Sequence, residues 1–200
     1  MPPDRDVQAF NERAPRYDAG RHGQLHHEIS NRAVAVALTT APSPQRVLDV
    51  GCGTGYALRR LAGRLPDASE FTGVDPAEQM VSVACASSDD RRLNFLSGTA
   101  ERLPVPDASV DLVISTTSFD HWVDQRAGLG ECARVLAPGG HLVLTDIFSA
   151  LLSPTLLTAG RRDKARTRAR ATRLVTGAGL RSPEWHRLYA VIIQTVTAVK

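Results

Sequence analysis

The 200-residue sequence has only three cysteines, Cys52, Cys85 and Cys132. They are scattered, odd in number and without metal-ligand spacing. This excludes a disulfide framework, argues against a zinc site and points to a reducing cytoplasm. No apolar run approaches the ~20 residues needed to span a bilayer. The opening MPPDRDVQAF has no apolar stretch of the signal-peptide type. A cytoplasmic location with no membrane partner is expected. Internal repeats and low-complexity linkers are also missing, so the chain is expected to fold as one domain over 1–200.

What is present is ordinary in bulk: 42% hydrophobic and 22% charged residues. The net charge of +3 is local in origin. Residues 161–173 (RRDKARTRARATR) carry seven basic residues and one acid, which is +6 and leaves −3 elsewhere. Such a segment could steer an anionic substrate, a carrier protein or RNA. It lacks the interleaved aromatics that stack on bases, so a nucleic-acid partner is disfavoured and a solvated helix face is the plainer reading.

Leu25, Ile29, Ala33, Val36 and Thr40 recur at helical spacing, which predicts a helix over 25–40 ended by Pro42-Ser-Pro44. A repeating strand–helix pattern follows. Strands are expected at 46–50, 71–74, 93–96, 110–115 and 141–146, with helices after the first two. A further helix is expected over 123–136 despite Gly128 and Gly130, then a basic helix near 161–176. Two late runs, 183–189 and 191–199, are too close together for a helix between them and read as an antiparallel hairpin. The expected fold is α/β: a Rossmann-like, doubly wound, mostly parallel sheet of seven strands with an antiparallel C-terminal hairpin strand. Ligands of such sheets sit at the carboxyl ends of the strands.

The most informative stretch is Val47-Leu-Asp-Val-Gly-Cys-Gly-Thr-Gly55, a strand running into G-x-G-x-G. Glycines let the backbone turn tightly and let a ligand approach peptide groups closely. In the dinucleotide fingerprint the next packing position is a small residue; here it is Tyr56, which weakens a nicotinamide or flavin reading. Asp49 sits at the strand end, where a carboxylate suits a cationic ligand better than a pyrophosphate. Asp75 closes the second strand 20 residues after Gly55, placed to accept both hydroxyls of a ribose. Adenosine with a cationic tail satisfies all three features. The plainer alternatives are a bare strand-to-helix turn for the glycines, a helix start for Asp75-Pro76, and a core role for Met80.

The segments VLDVGCGTG (47–55), FTGVD (71–75), GTAERLPVPDASVDLVIS (98–115) and ARVLAPGGHLVLTD (133–146) resemble, in order and spacing, the class I S-adenosylmethionine-dependent methyltransferases. Within that family they are similar to the branch containing the quinone-ring C-methyltransferases. The resemblance spans about half of the chain. It implies S-adenosylmethionine as cofactor, with S-adenosylhomocysteine as product. It implies that Asp49, Gly51, Cys52, Gly53 and Gly55 line the methionine part of the cofactor. Asp75 would hold the ribose, and Pro76 and Met80 would lie near the adenine. Relatives carry an Asp after the glycine of the 98–101 loop; here that position is Thr99, followed by Ala100 and Glu101, and Glu101 stands where it could substitute. Ser115 and Thr116 would lie near the amino-acid end. Tyr17 resembles a tyrosine of relatives' N-terminal segments that folds over the cofactor, so residues 1–30 are expected to form a lid.

Methyl transfer from a sulfonium is an in-line displacement from an activated leaving group, so a base is needed only if the acceptor carries a proton of high pKa. The stretch Ser115–Trp122 offers His121 and Asp120 as catalytic candidates; structurally, His121 could instead cap a helix or pair with Asp124. His22 and His26 have i, i+4 spacing but no third ligand, so no metal is expected. There is no Asp/Asn-Pro-Pro-aromatic motif and no Pro-Cys nucleophile, which argues against nucleic-acid-base methylation. With no large insertion, the pocket is expected to suit a small-molecule acceptor, with oxygen, nitrogen or carbon as the acceptor atom. The chain would be a monomer or homodimer. Alternatives are an RNA- or protein-directed enzyme using the basic segment, a non-catalytic cofactor-binding partner subunit, and a nicotinamide dehydrogenase.

Overall fold

The computed structural model describes residues 5–149, 164–189 and 192–200. Helix α1 spans Arg5–Arg13 and is followed by a 3-10 turn at Ala14–Arg16. Helix α2 runs from Gly20 to Thr40. Then come β1 (Arg46–Val50), α3 (Tyr56–Ala62), β2 (Glu70–Asp75), α4 (Glu78–Ala86), β3 (Leu93–Ser97) and β4 (Val110–Thr116). A 3-10 turn at Phe119–His121 leads to α5 (Gln125–Val135) and β5 (Leu136–Ile147). Helix α6 covers Arg168–Gly177, and β6 (Arg181–Tyr189) and β7 (Ile193–Val199) complete the sheet.

The seven strands lie in the order β3-β2-β1-β4-β5-β7-β6. Strands β1 to β5 pair in parallel, whereas β7 is antiparallel to both β5 and β6. The chain leaves β1 first towards β2 and β3, then returns to place β4 on the other side. That reversal opens a crevice beyond the ends of β1 and β4.

The strands are short apolar runs because both faces are covered. Side chains alternate between faces, and two cores follow. On one face Leu48, Val50, Val113 and Leu142 pack with Leu129 and Val135 of α5 and Val175 of α6. On the other, Val47, Leu112, Ile114 and Val143 pack with Val34 and Ala37 of α2 and Leu58 and Leu61 of α3. Leu48, Leu58, Leu112 and Leu142 are fully buried. Truncating one such leucine costs about 2–5 kcal/mol.

Several boundaries differ from the expected ones. Helix α2 starts at Gly20, five residues before the apolar periodicity does, so His22 lies on the helix together with His26 and His27. Gly23 is required inside that helix: a Cβ there would meet the Asp18 carbonyl oxygen at 2.2 Å. Residues 5–13 form a helix that a nine-residue, charge-rich segment does not announce. Strand β5 begins at Leu136, and Pro138-Gly139-Gly140 lies within it as an irregularity in its pairing with β4, not as a turn ahead of it. Residues 161–163 of the basic segment lie outside the described residues; its remainder enters α6, which packs on α5 and β6.

Candidate active site

Register places the chemistry. Asp49 pairs with Gly73 across β1 and β2, and Asp75 ends β2 opposite Ser97. The glycine turn after β1 is folded onto the end of β2, where Gly51 N and Cys52 N both donate to the Val74 carbonyl. Gly51, Gly53 and Gly55 all have positive φ (75°, 52° and 78°), which glycine alone adopts freely. Beyond that they differ. A Cβ on Gly51 would meet the Ser118 side chain at 2.3 Å, and one on Gly55 would meet the Phe95 ring at 2.6 Å. A Cβ on Gly53 would meet nothing within 4 Å, so its peptide faces open space.

That space is a cavity of about 210 Å³. Its floor is Gly51, Gly53, Asp75, Pro76 and Met80; one wall is Gly98, Thr99, Ala100 and Glu101. The cover is Asp6, Val7 and Phe10 of α1, Tyr17, and the stretch Thr116, Thr117, Ser118, His121, Trp122 and Val123. A smaller recess of about 50 Å³ behind the glycine turn is lined by Asp49, Cys52, His26, His27 and Tyr56, and shares Tyr17, Gly51, Gly53, Thr116 and Thr117 with the first.

The two carboxylates are held differently. Asp75 Oδ2 accepts from Gly53 N and Oδ1 from Ala77 N, each at 2.9 Å. It thus ties the glycine turn to the start of α4 and still has lone pairs to offer. Burial raises its pKa against the lowering effect of those bonds. Asp49 is fully buried, and its Oδ1 has no hydrogen-bond partner among the described residues. Burial, and then the neighbouring Asp75 charge, push its pKa up to about 8. A buried acceptor without a donor is costly. A cationic group bearing N–H donors would relieve it.

Tyr17 packs with Phe10, Ala14, Ala77 and Met80, and burial followed by the charges of Asp75 and Asp18 pushes its phenol up to about 12. His27 donates to Asp18 at 3.0 Å and stacks on Tyr56 at 3.8 Å, filling the side of the recess. Among the described residues no cluster of three His, Cys, Asp or Glu side chains is placed to hold a metal.

The expected site residues fall into three groups. Gly51, Gly53, Asp75, Pro76, Met80, Thr99, Ala100, Glu101, Thr116, Tyr17 and His121 line the cavity, and Asp49 and Cys52 line the recess. Gly55, Ser115 and Asp120 line neither. Gly55 is the packing seat for Phe95, and Ser115, fully buried, hydrogen-bonds Ser118 Oγ at 2.7 Å. Asp120 is gripped by Arg166 through two bonds of 2.8 and 2.9 Å. His121 pairs with neither Asp120 nor Asp124: its Nδ1 donates to Asp6 Oδ2 at 2.9 Å, while Asp124 caps α5 through Arg126 N and Ala127 N. Glu101 Oε1 accepts from Asp124 N. Asp6, Val7 and Phe10 were not foreseen; two apolar residues on a short charged segment carry too little periodicity to signal a buried face.

Residues 48–144 match the family model described as a methyltransferase domain. The chain is 42% identical over 136 residues to a demethylmenaquinone methyltransferase of Deinococcus radiodurans, covering 66% of this chain and 56% of that protein. It is 35% identical over 152 residues to a malonyl-[acyl-carrier protein] O-methyltransferase of Hahella chejuensis, covering 75% and 50%. The chain thus spans about half the length of these relatives. Among solved structures, a chain from the complex of the Haloferax volcanii Trm112 methyltransferase activator with a methyltransferase superposes with a TM-score of 0.81. That match is 24% identical and covers 97% of each chain. Residues 48–144 thus match a methyltransferase domain, and fold and glycine turn resemble those of the class I S-adenosylmethionine-dependent enzymes, whose cofactor is S-adenosylmethionine. Within the class it resembles the quinone C-methyltransferases. No helix among the described residues is long and apolar enough to cross a membrane.

Proposed function

We propose that the chain transfers a methyl group from S-adenosylmethionine to a small-molecule acceptor, at oxygen, nitrogen or carbon. The observation that carries this is the buried Asp49, whose Oδ1 lacks a hydrogen-bond partner among the described residues, set behind a glycine turn whose Gly53 is open to the cavity. The bound cofactor supplies a methyl group activated by a sulfonium sulfur. Asp49 would receive its cationic amino-acid end, with Cys52 and Thr116 beside it. Asp75 would accept the ribose hydroxyls on the lone pairs its backbone bonds leave open. Pro76, Met80, Thr99, Ala100 and Glu101 would surround the base.

His121 would take the acceptor's proton as the new bond forms. Residues 1–30 would act as the lid, with Val7, Phe10, Tyr17, Trp122 and Val123 excluding water and leaving room for a small, largely apolar acceptor. The names of two relatives point the same way, one being a demethylmenaquinone methyltransferase and the other a malonyl-[acyl-carrier protein] O-methyltransferase, whose acceptor group is small though carried on a protein. The test is transfer of labelled methyl from S-adenosylmethionine to a panel of small phenols, hydroquinones, amines and acids. Transfer to one class that needs the cavity residues supports the reading. Tight cofactor binding with no transfer to any of them would move the chain to a partner-dependent or non-catalytic role.

A further inference from the structure

The partner of His121 comes from the far end of the sequence. Asp6 and His121 are 115 residues apart, yet His121 Nδ1 and Asp6 Oδ2 lie 2.9 Å from each other at the cavity wall, each side chain about one-third exposed. Helix α1 is docked independently of that contact. Gln79 N at the start of α4 donates to Asn11 Oδ1, and Val7 and Phe10 pack with Ala14, Ala77 and Met80. The Phe10 ring stands edge-on to the imidazole, with centroids 5.0 Å apart and planes at 87°. The backbone of His121 is held from the other side: its N–H donates to the Ser118 carbonyl, and Asp120 N donates to Asp146 Oδ2. Among the described residues, Asp6 and Phe10, both on α1, hold the ring by a hydrogen bond and an edge-on contact.

We infer that Asp6 is a positioning residue for His121, so that docking of the N-terminal helix both closes the cavity and assembles its proton acceptor. A carboxylate only accepts hydrogen bonds, so Nδ1 must carry the hydrogen and the neutral ring keeps its lone pair on Nε2. When the acceptor's X–H bond breaks, its electron pair stays on X, the proton moves to Nε2, and the resulting imidazolium faces the Asp6 carboxylate. The carboxylates of Asp75 and Asp146 also act on this ring through space. The Asp120 carboxylate, next in sequence, is engaged by Arg166. The arrangement suits an acceptor whose reacting atom carries a proton, such as a hydroxyl or an acidic C–H, more than one that is already a free nucleophile. It rests on the role given to His121 above.

The experiment is nitrogen-15 NMR of the histidine rings in the full chain at about pH 8.5, where neutral tautomers dominate. His121→Gln identifies the resonances by their loss. The wild-type ring is expected as the Nδ1–H tautomer. Asp6→Ala should move it towards Nε2–H and lower turnover about 10-fold or more, with S-adenosylmethionine affinity changed less than about 3-fold. Asp6→Asn, which keeps an accepting oxygen but not the charge, should restore the tautomer and part of the turnover. An unchanged tautomer in a folded Asp6→Ala protein would overturn the assignment of Asp6, whatever the turnover. Full turnover by His121→Gln would overturn the base itself, and with it any catalytic part for Asp6.

Discussion

The floor of the cavity and its cover are built by different means. The floor and the recess behind it come from the ends of two adjacent parallel strands and the start of α4, and the carboxylates of Asp49 and Asp75 there are buried. The cover is gathered from α1, Tyr17 and the stretch after β4, and its hydrogen-bonded pair of Asp6 and His121 is about one-third exposed. On the proposed reading, the cofactor would be recognised at the buried ends of these strands, and the acceptor would meet α1 and the stretch after β4. An exposed pair of this kind contributes little to stability, so its use lies in orientation.

Substitutions can sharpen or break this division. The largest expected effect belongs to the cover. His121→Gln should lower turnover by about 10²–10⁴-fold, with S-adenosylmethionine affinity held within about 3-fold, as steady-state kinetics beside calorimetric titration would show. A parallel loss of affinity would mean that floor and cover are not separable.

The floor should give the opposite pattern. Asp49→Asn should weaken S-adenosylmethionine binding by about 10²-fold, the scale of a buried charge-assisted contact. It should also raise the melting temperature of the ligand-free protein. The sign follows from the raised pKa. A carboxyl that ionises near 8 when folded and near 3.8 when unfolded holds its proton in the native state between those values. Its contribution to stability is therefore present at low pH and is lost as pH rises from about 4 to about 8. Binding a cationic ligand needs the ionised form, so affinity for S-adenosylmethionine should rise with pH towards about 8 and level off beyond it. Affinity that is flat across that range, in wild type and Asp49→Asn alike, would remove Asp49 from the site.

Gly55→Ala should act on the floor through packing alone, costing about 2 kcal/mol or more of stability in denaturant titration, since its Cβ would enter Phe95 at a positive φ. Smallest of all, Val123→Ser on the exposed rim should change stability by less than about 0.5 kcal/mol. Any effect it has should be confined to the Michaelis constant of an apolar acceptor.

The same division explains what could be read from the sequence. Strand–helix alternation, the glycine turn and Asp75 are local patterns, so the sheet and the cavity floor at the ends of its strands are legible. Gly55 and Ser115 stand in the motif-bearing segments, yet Gly55 seats Phe95 of β3, 40 residues on, and Ser115 bonds Ser118 of the turn that follows its own strand. Pairings across the fold were also hidden. Asp120 and His121 are adjacent catalytic candidates in the sequence, but the 3-10 turn at Phe119–His121 sends Asp120 to Arg166 and His121 to Asp6. Helix α1 left almost no trace, because in nine residues only Val7 and Phe10 pack into the core beneath it.

The account stands most directly on cofactor binding at the floor. Calorimetric titration of the full chain with S-adenosylmethionine, alongside Asp49→Asn, should show binding at micromolar concentration in the wild type that strengthens from pH 6 to about 8, and strong loss in the variant. A wild-type protein shown to be folded that binds neither S-adenosylmethionine nor S-adenosylhomocysteine would contradict it.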